Sequence, residues 1–127
     1  MTTDSVDFMD QINLAPGMGY YNRKGEPISP RQWGQMRAED WDAASRVALT
    51  KFRDCEISTV CLGSDHAYTT GPPVIFETMI FWGNGSDDTW RYHTEGEASE
   101  HHAFLVRRLG QWWRRYRNHF VGGLDPR

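Results

Sequence analysis

Apolar and polar positions change period along this chain, and the changes divide it into elements. Over residues 30–44, Trp33 and Met36 lie three apart, Arg37 follows a turn after Trp33, and Trp41 returns to the same stripe, a helical spacing. Ser29-Pro30 is a natural start for that helix, because Ser caps unpaired N–H groups and Pro gives up an N–H that had no partner. The helix is predicted to run from Pro30 to about Arg37 or Ala44. From Arg46 the period becomes two: Val47, Leu49 and Lys51 face one way, and Ala48, Thr50 and Phe52 the other. Arg53-Asp54 turns this strand into a second, residues 55–62, giving an antiparallel hairpin. A third strand is predicted over Val74–Trp82, a turn over Gly83–Asp88, and a fourth strand over Trp90–Thr94.

Thr94 is placed to cap a last helix with Glu95, Glu97 and Glu100 near its positive end. Ala98, His102, Leu105, Leu109, Trp112, Tyr116 and Phe120 recur at threes and fours, so one face packs on the sheet while Arg107, Arg114 and Arg115 lie opposite. Gly110 should weaken this helix by about 1 kcal/mol and kink or end it early. Upstream, Tyr20-Tyr21 and Pro27-Ile28 flank Asn22–Glu26 as a small hairpin around Gly25. Strands followed by a helix, without alternation, predict an α+β fold: an antiparallel meander of about four strands with an N-terminal helix and a longer C-terminal helix.

The 127 residues suit one domain, taken as residues 20–127, with residues 1–19 a flexible arm broken by Pro16 and Gly17. The first residues lack the basic start and apolar run of a signal peptide, and no apolar stretch is long enough to span a membrane; an intracellular protein is expected. Cys55 and Cys61, six apart on one strand, are separated by roughly 20 Å at about 3.3 Å per residue. That distance forbids a bridge between them, and two buried thiols are expected. The net charge of −3 conceals an asymmetry: residues 1–100 hold eight Lys/Arg against sixteen Asp/Glu, and residues 101–127 hold six Arg against Asp125.

Several short motifs occur in order: Tyr20-Tyr21 with Arg23, Gly25, Pro27 and Ile28; Trp33; Ser58-Thr59-Val60 with Leu62-Gly63; Asp65-His66; Gly71-Pro72-Pro73; Ile75-Phe76-Glu77-Thr78-Met79; and Arg91-Tyr92 with Thr94, Glu97 and Ala98. In this order and spacing, across about residues 20–102, the chain resembles a family of short proteins of unknown function encoded by actinobacterial phages, mycobacteriophages especially. The resemblance implies a viral origin and a host cytoplasm, and it carries no site residue with it.

Residues 63–73 join two strands with eleven residues, against the usual two to five or so, and a long loop is a place to seek function. Its Asp65, His66 and Tyr68 form a candidate loop site, with hydrogen bonds that brace the loop as the structural alternative. Glu77 stands among Ile75, Met79 and Phe81 on its strand, and Arg91 or His93 on the next is its natural partner, making Glu77–Arg91 a structural ion pair. With Asp65, His66 and Glu77 converging in one pocket, a small hydrolase is a third reading. His93, His101 and His102 do not reproduce zinc-ligand spacing, nor do the cysteines, and neither a metal nor a cofactor is expected.

The segment 104–120 holds five Arg, no acid and a cluster of aromatics. Arg107, Arg108, Trp112, Trp113, Arg114 and Arg115 are therefore the candidate partner-binding residues, since Trp and Arg are enriched at interface hot spots. The same residues suit nucleic acid, by neutralising phosphates and stacking on bases, although the acidic body would oppose a polyanion. The structural alternative is an amphipathic helix whose Arg face pairs with that body. The reading reached is a non-enzymatic phage accessory protein that binds a host or phage protein, with nucleic-acid binding as the alternative. No membrane span is expected, and a homodimer is left open.

Overall fold

A computed structural model describes residues 19–67 and 70–116, with side chains described as far as Trp112. The arm expected over residues 1–19 lies outside the described residues apart from Gly19.

Ser29 begins helix α1, Pro30–Ala38, with a reciprocal cap: the Gln32 N–H donates to Ser29 Oγ and the Ser29 N–H to Gln32 Oε1. The helix does not continue to Ala44. It stops at Glu39, and Asp40 starts a separate helix α2, Trp41–Ser45, by accepting the Ala43 N–H at 3.1 Å. Asp is a strong N-cap, and here that local bond overrides the run of helix formers around it.

Before α1 lie strands β1, Tyr20–Tyr21, and β2, Pro27–Ile28, paired antiparallel as the expected small hairpin. After α2 come β3, Arg46–Lys51; β4, Cys55–Cys61; β5, Phe76–Trp82; and β6, Asp87–Tyr92. They form one antiparallel sheet in the order β3-β4-β5-β6. The last helix, α3, spans Glu95–Tyr116, so the fold is α+β with a longer C-terminal helix. Strand β6 starts three residues earlier than its sequence suggests. Ser86 closes a tight turn by donating to Asn84 Oδ1 at 2.9 Å, which leaves Asp87 and Asp88 paired with Phe81 and Ile80.

Helix α3 packs on one face of the sheet. Cys55, Ile57, Thr59 and Cys61 of β4 are all buried there, as are Phe76, Thr78 and Ile80 of β5. The stripe Ala98, His102, Leu105, Leu109 and Trp112 meets them, with Ala98 fully enclosed. Ile57, Ile75 and Phe76 have no solvent exposure, and burial of each such side chain contributes roughly 1.5–3 kcal/mol. Gly110 does not end α3. It is buried within a helix whose Leu109 and Trp112 pack on the core, and tertiary packing outweighs the weak propensity of one glycine. The opposite face carries Leu49, Ser58, Val60, Met79 and Phe81, the last 44% exposed.

Candidate functional site

The long loop is held by Asp65 itself. Its buried carboxylate accepts the backbone N–H of Ala67 at 2.8 Å and of Val74 at 2.9 Å through one oxygen, closing the loop at both ends. His66 Nε2 lies 3.2 Å from Ser64 Oγ, and the His66 N–H donates to the Val74 carbonyl. Tyr68 lies outside the described residues. Where Pro72 and Pro73 of this loop meet Arg23, Lys24 and Gly25 of the β1–β2 turn and His93–Glu95, a groove of about 260 Å³ opens. Arg23 is already engaged there, donating twice to Glu95 at 2.9 and 3.0 Å and so tying the hairpin to the start of α3. His93 Nδ1 donates to the Pro73 carbonyl at 3.0 Å, which leaves its Nε2 as an acceptor.

Glu77 lies on the sheet face away from α3, directly opposite Arg91, whose Nε donates to its carboxylate at 3.1 Å. Its side chain is 13% exposed, so the pair compensates a carboxylate that is largely removed from water. No bond joins Asp65, His66 and Glu77 among the described residues; each is bonded elsewhere. No set of three His, Cys, Asp or Glu side chains among them is arranged to hold a metal ion.

The Trp33–Trp41 stripe carries an exposed cation. The Arg37 guanidinium lies 4.9 Å from the Trp33 ring centre and 5.3 Å from that of Trp41, with the Tyr20 ring tilted against Trp33 at 4.6 Å. The Trp33 indole presses on Gly63, where a Cβ would lie 2.6 Å from its Nε1. Gly63 also has φ +73°, so both its backbone angle and its neighbour require glycine.

The most connected polar array lies beneath α3, and its members did not group in the sequence. His102, 5% exposed, places Nε2 at 2.9 Å from Thr50 Oγ1 and Nδ1 at 2.7 Å from Thr59 Oγ1. Thr59 and Thr78 Oγ1 are 2.6 Å apart, so the row from His102 crosses β3, β4 and β5, and beside it the Tyr92 hydroxyl of β6 bonds His101 Nδ1. Two directions satisfy the row: Thr50 donates to His102 Nε2, His102 Nδ1–H to Thr59 and Thr59 to Thr78, or all three bonds run the other way on the other tautomer. Burial lowers the pKa of both imidazoles below the ordinary 6.5, which favours their neutral forms. Burial also pushes the Tyr92 hydroxyl up. The arrangement fixes register and seats α3, since a fully satisfied buried network rewards only one alignment of its members.

On the solvent side of α3, Phe104, Arg107 and Arg108 are exposed together, Phe104 at 46% with its ring stacked on His101. Trp112 is half-buried and packs on the core cluster of Phe52, Cys55, Ile57, Ile80 and Leu105. The side chains of Trp113, Arg114 and Arg115 lie outside the described residues. Spacing alone separates the two groups: 98, 102, 105, 109 and 112 face the sheet, and 104, 107 and 108 face away. No helix among the described residues is long and apolar enough to cross a membrane. Comparison of the chain with protein-family models, with curated proteins and with solved structures finds no match.

Proposed function

We propose that this chain is a non-enzymatic phage accessory protein that works in the host cytoplasm by binding another protein, and that the solvent face of α3 makes the contact. The observation that carries the reading is the exposed triplet Phe104, Arg107 and Arg108 on one stripe of a helix whose other stripe is anchored in the core. An aromatic ring 46% exposed on the same helix stripe as two exposed arginines matches the composition of interface hot spots, and a helix presents it with little ordering entropy to lose. The partner surface that fits is acidic around an apolar pocket. The candidate acid–base side chains support the same reading, because Asp65, His66 and Glu77 each hold the fold through a bond of their own.

Affinity capture of the tagged chain from lysate of an actinobacterial host, with one arm treated with nuclease, tests it. A discrete protein retained after nuclease is expected. Recovery that disappears on nuclease treatment replaces this reading with nucleic-acid binding through the same arginines.

A further inference from the structure

We infer that β3 is a docking edge for an extended, basic peptide, which adds to the sheet as a strand beside it. This goes beyond the helix-face reading and does not depend on it.

Strand β3 pairs only with β4 among the described residues, so its outer edge is open. The phase of the ladder says what that edge offers. Phe52 donates its N–H to the Cys55 carbonyl at 2.8 Å, and the register continues without a shift through Thr50–Ile57 and Ala48–Thr59. In an antiparallel pair, hydrogen-bonded positions alternate with unbonded ones. Phe52, Thr50 and Ala48 therefore bond inward to β4, while Lys51 and Leu49 turn their N–H and C=O groups outward. A shift between Arg46 and Ala48 bends the start of the strand, which limits the usable edge to about Ala48–Lys51.

The two edges of the sheet differ in a way that favours β3. Strand β6 carries Asp87, Asp88 and Arg91, the charged side chains with which proteins blunt an edge against pairing. The central residues of β3, Val47–Thr50, carry none. Alongside β3 lies a groove of about 800 Å³, lined by Arg46, Val47, Ala48 and Leu49 of the strand and by Asp40, Asp42 and Ala43 of the α2 region.

The acidic residues of this lining select the occupant. The Asp42 carboxylate has no ion-pair partner among the described residues, and Asp40 uses only one oxygen, on the Ala43 N–H. Glu39 next to them is exposed. A strand seated on Leu49 and Lys51 would pass this acidic lining, so Lys or Arg at alternate positions complements it and Glu or Asp is repelled. Main-chain bonds supply the affinity in such an addition, and the alternate side chains supply the selectivity.

The test uses the full-length chain labelled with ¹⁵N and two blocked peptides, one alternating Lys and Val and the other Glu and Val, followed by amide shifts and hydrogen exchange. The Lys peptide is expected to shift and protect the amides of Leu49 and Lys51. It should bind about fivefold or more tighter than the Glu peptide, a gap that narrows as salt rises and in Asp42→Asn. Methylating alternate backbone nitrogens of the Lys peptide should abolish the effect. Binding that survives this methylation, or equal binding of the two peptides, overturns the inference, as does silence at both amides with about 1 mM peptide. The same protection appearing in the protein alone as its concentration is raised would assign the edge to a second copy of the chain and also overturn it. The Phe104→Ala/Arg107→Ala/Arg108→Ala variant should bind the Lys peptide like wild type, so this proposal and the helix-face reading fail separately.

Discussion

Replacing Thr59 with Val removes the central link of the buried row while preserving its volume. Thr59 has no solvent exposure, and its Oγ1 contacts Thr78 Oγ1 at 2.6 Å and His102 Nδ1 at 2.7 Å. Both bonds vanish in Thr59→Val. Thr78 Oγ1 and His102 Nδ1 each lose a buried partner, and an unsatisfied buried polar group costs about 1–3 kcal/mol. Adding the lost second bond, the expected destabilisation is about 2–3 kcal/mol, or roughly 8–13 °C in Tm for a domain of this size. Urea unfolding followed by tryptophan fluorescence reads it directly. His102→Leu alone should also destabilise, but the double variant should lose about 1–2 kcal/mol less than the sum, because it removes the ring nitrogen that Thr59→Val leaves without a partner. A loss below about 0.5 kcal/mol in Thr59→Val, or full additivity, would refute the argument that the row is a coupled buried network.

Three further outcomes follow from other contacts. His101 and His102 have folded-state pKa values below the ordinary 6.5, so the unfolded chain takes up protons more readily; their contribution is complete above pH 6.5 and is lost as pH falls below it. Cys55 acts at the other end: burial pushes its thiol from 9.0 up to about 11, so its contribution is present below pH 9 and declines through pH 9–11; urea midpoints across pH should show a plateau between these limits. Gly63→Ala should cost about 2–4 kcal/mol from φ +73° and collision with Trp33, whereas Gly34→Ala, in open space on α1, should stabilise by up to about 1 kcal/mol; thermal melts of the two decide the point. The Cys55 thiol, 6% exposed, should react with a thiol reagent at pH 8 only at the rate of local opening, and urea should accelerate labelling; immediate labelling would contradict its burial.

Elements with a strong period were legible in the chain, and those decided by one local bond or by distant partners were not. The α3 stripe from Ala98 to Trp112 could be read because a helix buries residues three and four apart whatever sheet it meets. The break before α2 rests on one bond from the Asp40 side chain, and the early start of β6 on the pairing of Asp87 and Asp88, residues that rarely favour strands. Thr50, Thr59 and Thr78 declared only that they belong in strands. Their common row needed the register of three strands and a histidine 43 residues beyond Thr59, and its sole local trace was a histidine on the apolar stripe of a helix. The Asp65–His66 pair suggested chemistry because adjacency is visible in a sequence, while the Val74 N–H that Asp65 accepts lies nine residues away.

The central claim, that the exposed stripe of α3 binds a protein, is tested most directly by comparing wild type with Phe104→Ala/Arg107→Ala/Arg108→Ala in nuclease-treated affinity capture, alongside thermal melts of both. All three residues are exposed, so the melts should differ only by the loss of the Phe104–His101 stacking, about 1 kcal/mol. The protein captured by wild type should be lost from the variant by tenfold or more, as expected when hot-spot side chains worth about 1.4 kcal/mol or more together are removed. Equal capture by the two would contradict the claim.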